Sequence, residues 1–258
     1  MKHVWALIVC LISLSFSAVH AADLEMVKKT GKLRIAVDST YPPMEFEGDD
    51  GKVAGLDIDL AKELAGHLKV TTEFIVMPWD GILAGLQSDR YDIIMSSMNI
   101  TPERAAQVNF AEYMKMGQVF VCKKEGKQVK TEKDLAGLVV AVQADTTSAN
   151  AVEGFKKAGV AVKDIKQFKG ATETFAAVKS GQADVIVTDE PVGRYYAGLD
   201  AKTFSVSGEA IKPEPIGIAV RKEDVKLLTA LNDALTTIKK NGTYKKVYKH
   251  WLKADPKH

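Results

Sequence analysis

Arg104, Asp189 and the hydroxyls of Ser96, Ser97, Thr146 and Thr147 are the side chains of this sequence best suited to hold a small charged molecule. Asp38, Tyr41, Trp79, Asn99 and Gln143 join them, because all fall at or near the carboxyl ends of runs that read as strands. The set contains a guanidinium, two carboxylates, two aromatic rings and several hydroxyls. It contains no nucleophile–base pair, no phosphate-binding glycine loop and no metal cluster. Such chemistry suits a zwitterion. Arg104 can grip a carboxylate through two parallel hydrogen bonds. Thr147 opens the helix that follows, where unpaired backbone N–H groups favour the same anion. Asp189 can accept from an ammonium. When the two ends of one molecule are held from opposite sides of a cleft, only the closed form makes every contact, so binding drives closure.

The elements that must position these residues alternate between strand and helix. Leu33–Val37 is a β-rich run, and 56–68 carries apolar residues at helical spacing with acids in its first turn. Ile82–Leu86 continues a helix, and Asp92–Met95 reads as a strand ending in Ser96-Ser97. The grammar then repeats. Leu138–Val142 is a strand leading into Gln143-Ala144-Asp145-Thr146-Thr147, and 176–187 matches 84–95 as helix, polar turn, Asp and buried strand. Near the end, Val225, Leu228, Leu231, Leu235 and Ile238 share a helical face that Asn241-Gly242 stops. That helix follows a strand Gly217–Val220 and returns to the first half. The expectation is an α/β protein of two lobes, each a mainly parallel sheet flanked by helices. Two crossover strands, near Lys115–Gln118 and Pro213–Ile216, form the hinge. Lobe 1 takes residues 22–116 and 215–258, and lobe 2 takes 117–214.

Composition limits the rest. With 258 residues and 46% of them hydrophobic, the chain can build a substantial core. A net charge of +2 gives no general attraction to nucleic acid. Two cysteines and five histidines without metal-ligand spacing exclude a structural zinc site, and no cofactor is expected. Residues 1–21 carry a short basic start, an apolar run from Val4 to Phe16 and small residues at Val19-His20-Ala21. They read as a cleaved signal peptide, too short for a membrane span. Cys10 lacks the small preceding residue of a lipoprotein site, so the exported chain keeps a single buried thiol, Cys122. A monomer outside the cytoplasm is expected.

Four stretches together resemble a known family. They are Asp38–Phe46, Gly55–Leu60, Ser96–Arg104 and Asn241–Tyr244. In that order, and over nearly the whole exported chain, they are similar to the polar amino-acid-binding proteins of ABC importers, whose members take histidine, lysine/arginine/ornithine, arginine or glutamine. The resemblance implies a periplasmic clamp that delivers its ligand to a membrane permease. It places Arg104 and Thr147 on the α-carboxylate, Asp189 on the α-ammonium, and Ser96 and Ser97 as added contacts. Tyr41 and Trp79 would sandwich the ligand side chain, with Asp38 at its far end. Two positions depart from the family pattern: Asn99 stands where Ser or Thr is usual, and Asp145 where Gly is common.

Asp38, aided by Glu45, offers negative charge to a guanidinium or ammonium, and two aromatic faces favour a flat cation. Arginine therefore comes first, then lysine, ornithine or histidine. Glutamine is the rival, because an Asp also accepts from an amide and Gln143 can donate to its oxygen. An exported dehydratase acting on prephenate or arogenate is the alternative of another class. It would need Asp38, Glu45 or Asp189 to stay protonated in a dry pocket. A ligand-sensing domain would need a fused membrane helix and signalling module, and a stand-alone binder is expected instead.

Overall fold

The computed structural model describes residues 24–211 and 213–256. The expected signal peptide, residues 1–21, lies outside them. No helix among the described residues is long and apolar enough to cross a membrane.

Two five-stranded sheets carry the chain. The first runs Thr71–Val76, Lys32–Val37, Ile93–Ile94, Glu214–Arg221 and Val108–Met116 from edge to edge. The second runs Asp164–Phe168, Val139–Gln143, Val185–Asp189, Gln118–Lys123 and Phe204–Ser207. The strand order follows one plan in both, and the repeated sequence pattern is its cause. The Asp92 carboxylate accepts from the Arg34 N–H at 2.7 Å, and the Asp184 carboxylate accepts from the Val139 N–H at 2.8 Å. Each Asp N–H also donates to the carbonyl of that same strand residue. In both sheets, then, an Asp ahead of the third strand from the edge seals it to the second.

The sheets are more mixed than expected. In the first, Lys32–Val37 pairs in parallel with both neighbours, but Glu214–Arg221 pairs antiparallel with Ile93–Ile94 and with Val108–Met116. The second sheet has the same split. The antiparallel half comes from the crossing segments. Val108–Met116 passes through Gly117 straight into Gln118–Lys123, and Glu214–Arg221 returns beside it. A chain that arrives directly from the other sheet needs no helical crossover, so it is free to pair antiparallel.

Helix periodicity explains the packing. Leu56, Leu60, Leu64 and Leu68 recur every fourth residue along Leu56–Leu68, and all are buried. In Val225–Lys240 the buried face is Leu227, Leu231, Ala234, Leu235 and Ile238. Each of its large side chains contributes about 1.5–3 kcal/mol by leaving water. Val225, expected on that face, is the first residue of the helix and 58% exposed, and Leu227 is buried instead. Cys122 is free and buried in its strand. Met95, Met98, Met114 and Met116 are all buried in the core.

Candidate functional site

The carboxyl ends of the inner strands of both sheets face a shared cavity. Asp38, Tyr41, Glu45, Trp79, Ser96, Ser97 and Asn99 line it from one side. Gln143, Thr146, Thr147, Ser148 and Asp189 line it from the other. Ten of the eleven strand-end residues named from the sequence meet here, and Glu45 with them. Arg104 is the exception and stands at the margin.

Local sequence places Arg104. Thr101 caps the short helix Pro102–Gln107, accepting from the Arg104 N–H at 3.2 Å, and Pro102 occupies the first helical position. This sets Arg104 in the first turn, above the cavity mouth. Its guanidinium donates to the carbonyls of Asn99 at 3.1 Å and Asp145 at 3.0 Å, and lies 5.2 Å from the Trp79 ring centroid. Burial pushes the guanidinium below its ordinary pKa, while Asp189, Glu214, Asp145 and Glu103 pull it back. Five N–H donors leave Arg104 spare ones for a ligand carboxylate.

Asp145 does its bonding through its backbone. It adopts φ 58, and its carbonyl accepts from both Arg104 and the Trp79 indole N–H, each at 3.0 Å, while its side chain is exposed. The Asp145 carbonyl therefore ties the two sides together. Asn99 also looks away from a simple ligand contact, donating to the Glu214 carboxylate at 3.1 Å.

On the second side, Thr146 caps the helix Thr147–Lys157, accepting from the Ala149 N–H at 3.1 Å. Thr147, expected to open the helix, is its first residue, and its hydroxyl accepts from the Gln118 amide at 2.9 Å. Ser148 lines the cavity one position on, a residue that the sequence reading missed although it sits in the same first turn. Asp189 ends its strand and is 3% exposed. One oxygen accepts from the Tyr41 hydroxyl at 2.7 Å, and the other, Oδ1, is buried without a hydrogen-bond partner. Burial raises its carboxyl to about 6, with the Tyr41 hydrogen bond opposing. The next residue, Glu190, donates its N–H to the Gly117 carbonyl at 2.7 Å.

The first side is a network of acids. Asp38 accepts from the Gln143 amide at 2.6 Å and from the Thr40 N–H at 3.2 Å. Burial raises its carboxyl and the Gln143 hydrogen bond lowers it. Tyr41 belongs to the short strand Thr40–Tyr41, paired with Glu45–Glu47, with two prolines directly after it. Behind Glu45 lies Asp57, expected only to complement a helix dipole. It is fully buried and accepts from the Ser97 N–H at 2.8 Å, the Tyr113 hydroxyl at 2.8 Å and the Ser97 hydroxyl at 3.2 Å. Burial and the charge of Asp57 push the Glu45 carboxyl well above the usual range. Gly55 permits this closeness. It has φ 133, and a Cβ there would run into the Met44 carbonyl, which instead accepts from the Asp57 N–H at 2.9 Å.

Known proteins share this arrangement. Residues 33–254 match the family model described as bacterial extracellular solute-binding proteins, family 3. The L-cystine-binding protein TcyJ of Escherichia coli (strain K12) is 31% identical over 234 residues, which is 90% of this chain and 86% of that protein. The ancestral amino acid-binding protein AncCDT-1, a precursor of cyclohexadienyl dehydratase, superposes with a TM-score of 0.83 and 42% identity, covering 89% of this chain and 99% of that one. An ancestral arginine-binding protein bound to arginine gives 0.82 and 41%, covering 86% and 98%. Two lobes built on one strand plan, with a polar cavity at their strand ends, fit that family's fold, and the match over residues 33–254 decides it: the chain belongs to the bacterial extracellular solute-binding proteins of family 3.

Proposed function

We propose that this protein captures a polar L-amino acid between its lobes and delivers it to the membrane permease of an ABC importer. The observation that carries the reading is Asp189 Oδ1, a buried carboxylate oxygen without a partner, facing a cavity rimmed by a guanidinium and a helix N-terminus. A buried unsatisfied acceptor costs about 1–3 kcal/mol, and an α-ammonium removes that cost. Arg104, Thr147 and the free N–H groups of its helix then take the α-carboxylate. Ser96 and Ser97 complete the floor, with Tyr41 and Trp79 beside the ligand side chain. Lobe 1 comprises residues 22–116 and 215–258 and lobe 2 comprises 117–214, after export by a signal peptide at 1–21. The protein acts in the periplasm as a monomer. Binding rather than catalysis is the reading that the relatives' names favour.

Arginine is the first choice of ligand, ahead of lysine, ornithine and histidine, because Asp38 lies in the wall beside two aromatic rings. One neighbour in that reading's favour is the arginine complex above. Glutamine is the second reading. Asp38 already accepts from the Gln143 amide, so a ligand amide fits the same acceptor, and another neighbour is an ancestral arginine-binding protein bound to glutamine. Calorimetry of the refolded, ligand-stripped chain against the common L-amino acids and ornithine decides. Strong heat with arginine alone supports the cationic reading, and tight glutamine binding replaces it. Silence from the whole panel refutes amino-acid capture, and prephenate would then be tried.

A further inference from the structure

The Ser97 hydroxyl lies 3.3 Å from Glu45 Oε2 and 3.2 Å from Asp57 Oδ2. It carries one hydrogen and can donate to only one of these two oxygens. Were both carboxyls ionised, the other contact would set lone pair against lone pair. A single proton on Glu45 completes the chain: Glu45 Oε2–H donates to Ser97 Oγ, and Ser97 donates to Asp57. The remaining contacts assign the proton to Glu45 rather than Asp57. Asp57 has a backbone N–H and a phenol as further donors and lies in the first turn of a helix, all of which favour its charge. Beyond Ser97, Glu45 has the Ser96 hydroxyl as a donor, at 3.0 Å, and its side-chain hydrogen bond with Asp57 raises the pKa of Glu45 while lowering that of Asp57.

The charged and titratable groups facing Glu45 are Asp57, Asp38 and Tyr113, with Asp189 across the cavity. None is cationic. Taking a second charge into this site without a partner is costly, so the acid stays neutral. Its raised proton affinity agrees with this. Glu45 nevertheless lines the cavity.

We propose that Glu45 is a specificity-determining residue that keeps its proton in the unliganded protein and releases it to solvent when a cationic side chain enters beside Asp38. A neutral amide gives no such drive and leaves the proton in place. The site thus reads ligand charge by ionising on demand, and holds no surplus anion when empty. The inference rests on the amino-acid reading above.

Infrared difference spectroscopy on the unliganded protein at neutral pH tests the first half. A carboxylic-acid C=O band present in the wild type and absent from Glu45→Gln is expected, and its absence from the wild type overturns the proposal. Titration with arginine and with glutamine tests the second half. Arginine should abolish the band, and its affinity should rise up to about tenfold per pH unit while Glu45 remains protonated in the free protein. Glutamine should leave the band in place, with Glu45 adding no such rise to its affinity. A band that survives saturating arginine overturns the coupling. The difference between the arginine and glutamine pH slopes is measured on the wild type alone, so the test stands if Glu45→Gln does not fold. Should no amino acid bind while the band is present, the proposed function fails and the ligand half with it, whereas the proton on Glu45 stands.

Discussion

The two walls of the cavity come from sheets with one strand plan, yet their acids behave differently. In the first lobe Asp38, Glu45 and Asp57 are engaged with Gln143, Ser96, Ser97 and Tyr113. In the second, Asp189 keeps one buried oxygen unmatched. The source of the difference is the connection after Lys32–Val37 in one sheet and after its counterpart Val139–Gln143 in the other. In the first lobe residues 38–55 intervene before the helix and fold into a small three-stranded sheet, which carries Tyr41 and Glu45. In the second lobe residues 144–146 suffice, and the helix N-terminus itself reaches the cavity. A repeated scaffold therefore gives one wall whose acids are matched by hydrogen bonds and one whose acid keeps a buried oxygen unmatched. Mutation around Asp57 should therefore tell chiefly in stability, and mutation of Asp189 in binding.

The largest expected break is Gly55→Ala. Its positive φ and the Met44 carbonyl leave no room for Cβ, so the contact between helix start and Glu45 strand must open. A loss of about 3 kcal/mol or more is expected in urea unfolding of the unliganded protein.

Asp189→Asn should do the reverse. Affinity for the amino acid should fall about a hundredfold, close to 3 kcal/mol, since an ammonium loses its anion. Unliganded stability at neutral pH should rise by about 1–2 kcal/mol. The pH dependence follows with its sign. The Asp189 carboxyl sits at about 6 when folded against 3.8 ordinarily, so between those values the folded form binds more protons. Its contribution is full below pH ~4 and fades as pH rises through ~6, by roughly 3 kcal/mol in all. Thermal melts of the unliganded wild type and Asp189→Asn between these pH values check this. An equal slope in both would erase the contrast between the walls.

Tyr113→Phe removes one donor from Asp57 and nothing from the cavity wall. A stability cost of about 1–2 kcal/mol is expected, with arginine affinity changed far less than by Asp189→Asn. The smallest effect belongs to Asp145→Gly. Its left-handed φ of 58 carries strain that glycine lacks, and its carbonyl partners are kept. A change of less than about 1 kcal/mol is expected, stabilising if the strain relief outweighs the added freedom of the unfolded chain.

Much of this was legible in the chain itself, because it depends on neighbours in sequence. Periodic apolar residues marked Leu56–Leu68 and Val225–Lys240 as helices. The Thr101-Pro102 cap set Arg104 in its turn, and the paired Asp92 and Asp184 betrayed the repeat. Strand ends then gathered most of the cavity wall without any knowledge of the pairing.

Tertiary structure alone decided who meets whom. Asp57 looked like a helix-start acid, since its spacing says nothing of Ser97 and Tyr113, far along the chain. Glu45 looked like an added negative charge until burial beside Asp57 raised its carboxyl. Arg104 looked fully available until the Asn99 and Asp145 carbonyls engaged it. The antiparallel half of each sheet likewise followed from where the crossing strands enter. Local propensity is written in side-chain shape and spacing, which the sequence carries directly. Charge state and partnership depend on desolvation and on distances across the fold, which exist only once the chain has closed on itself.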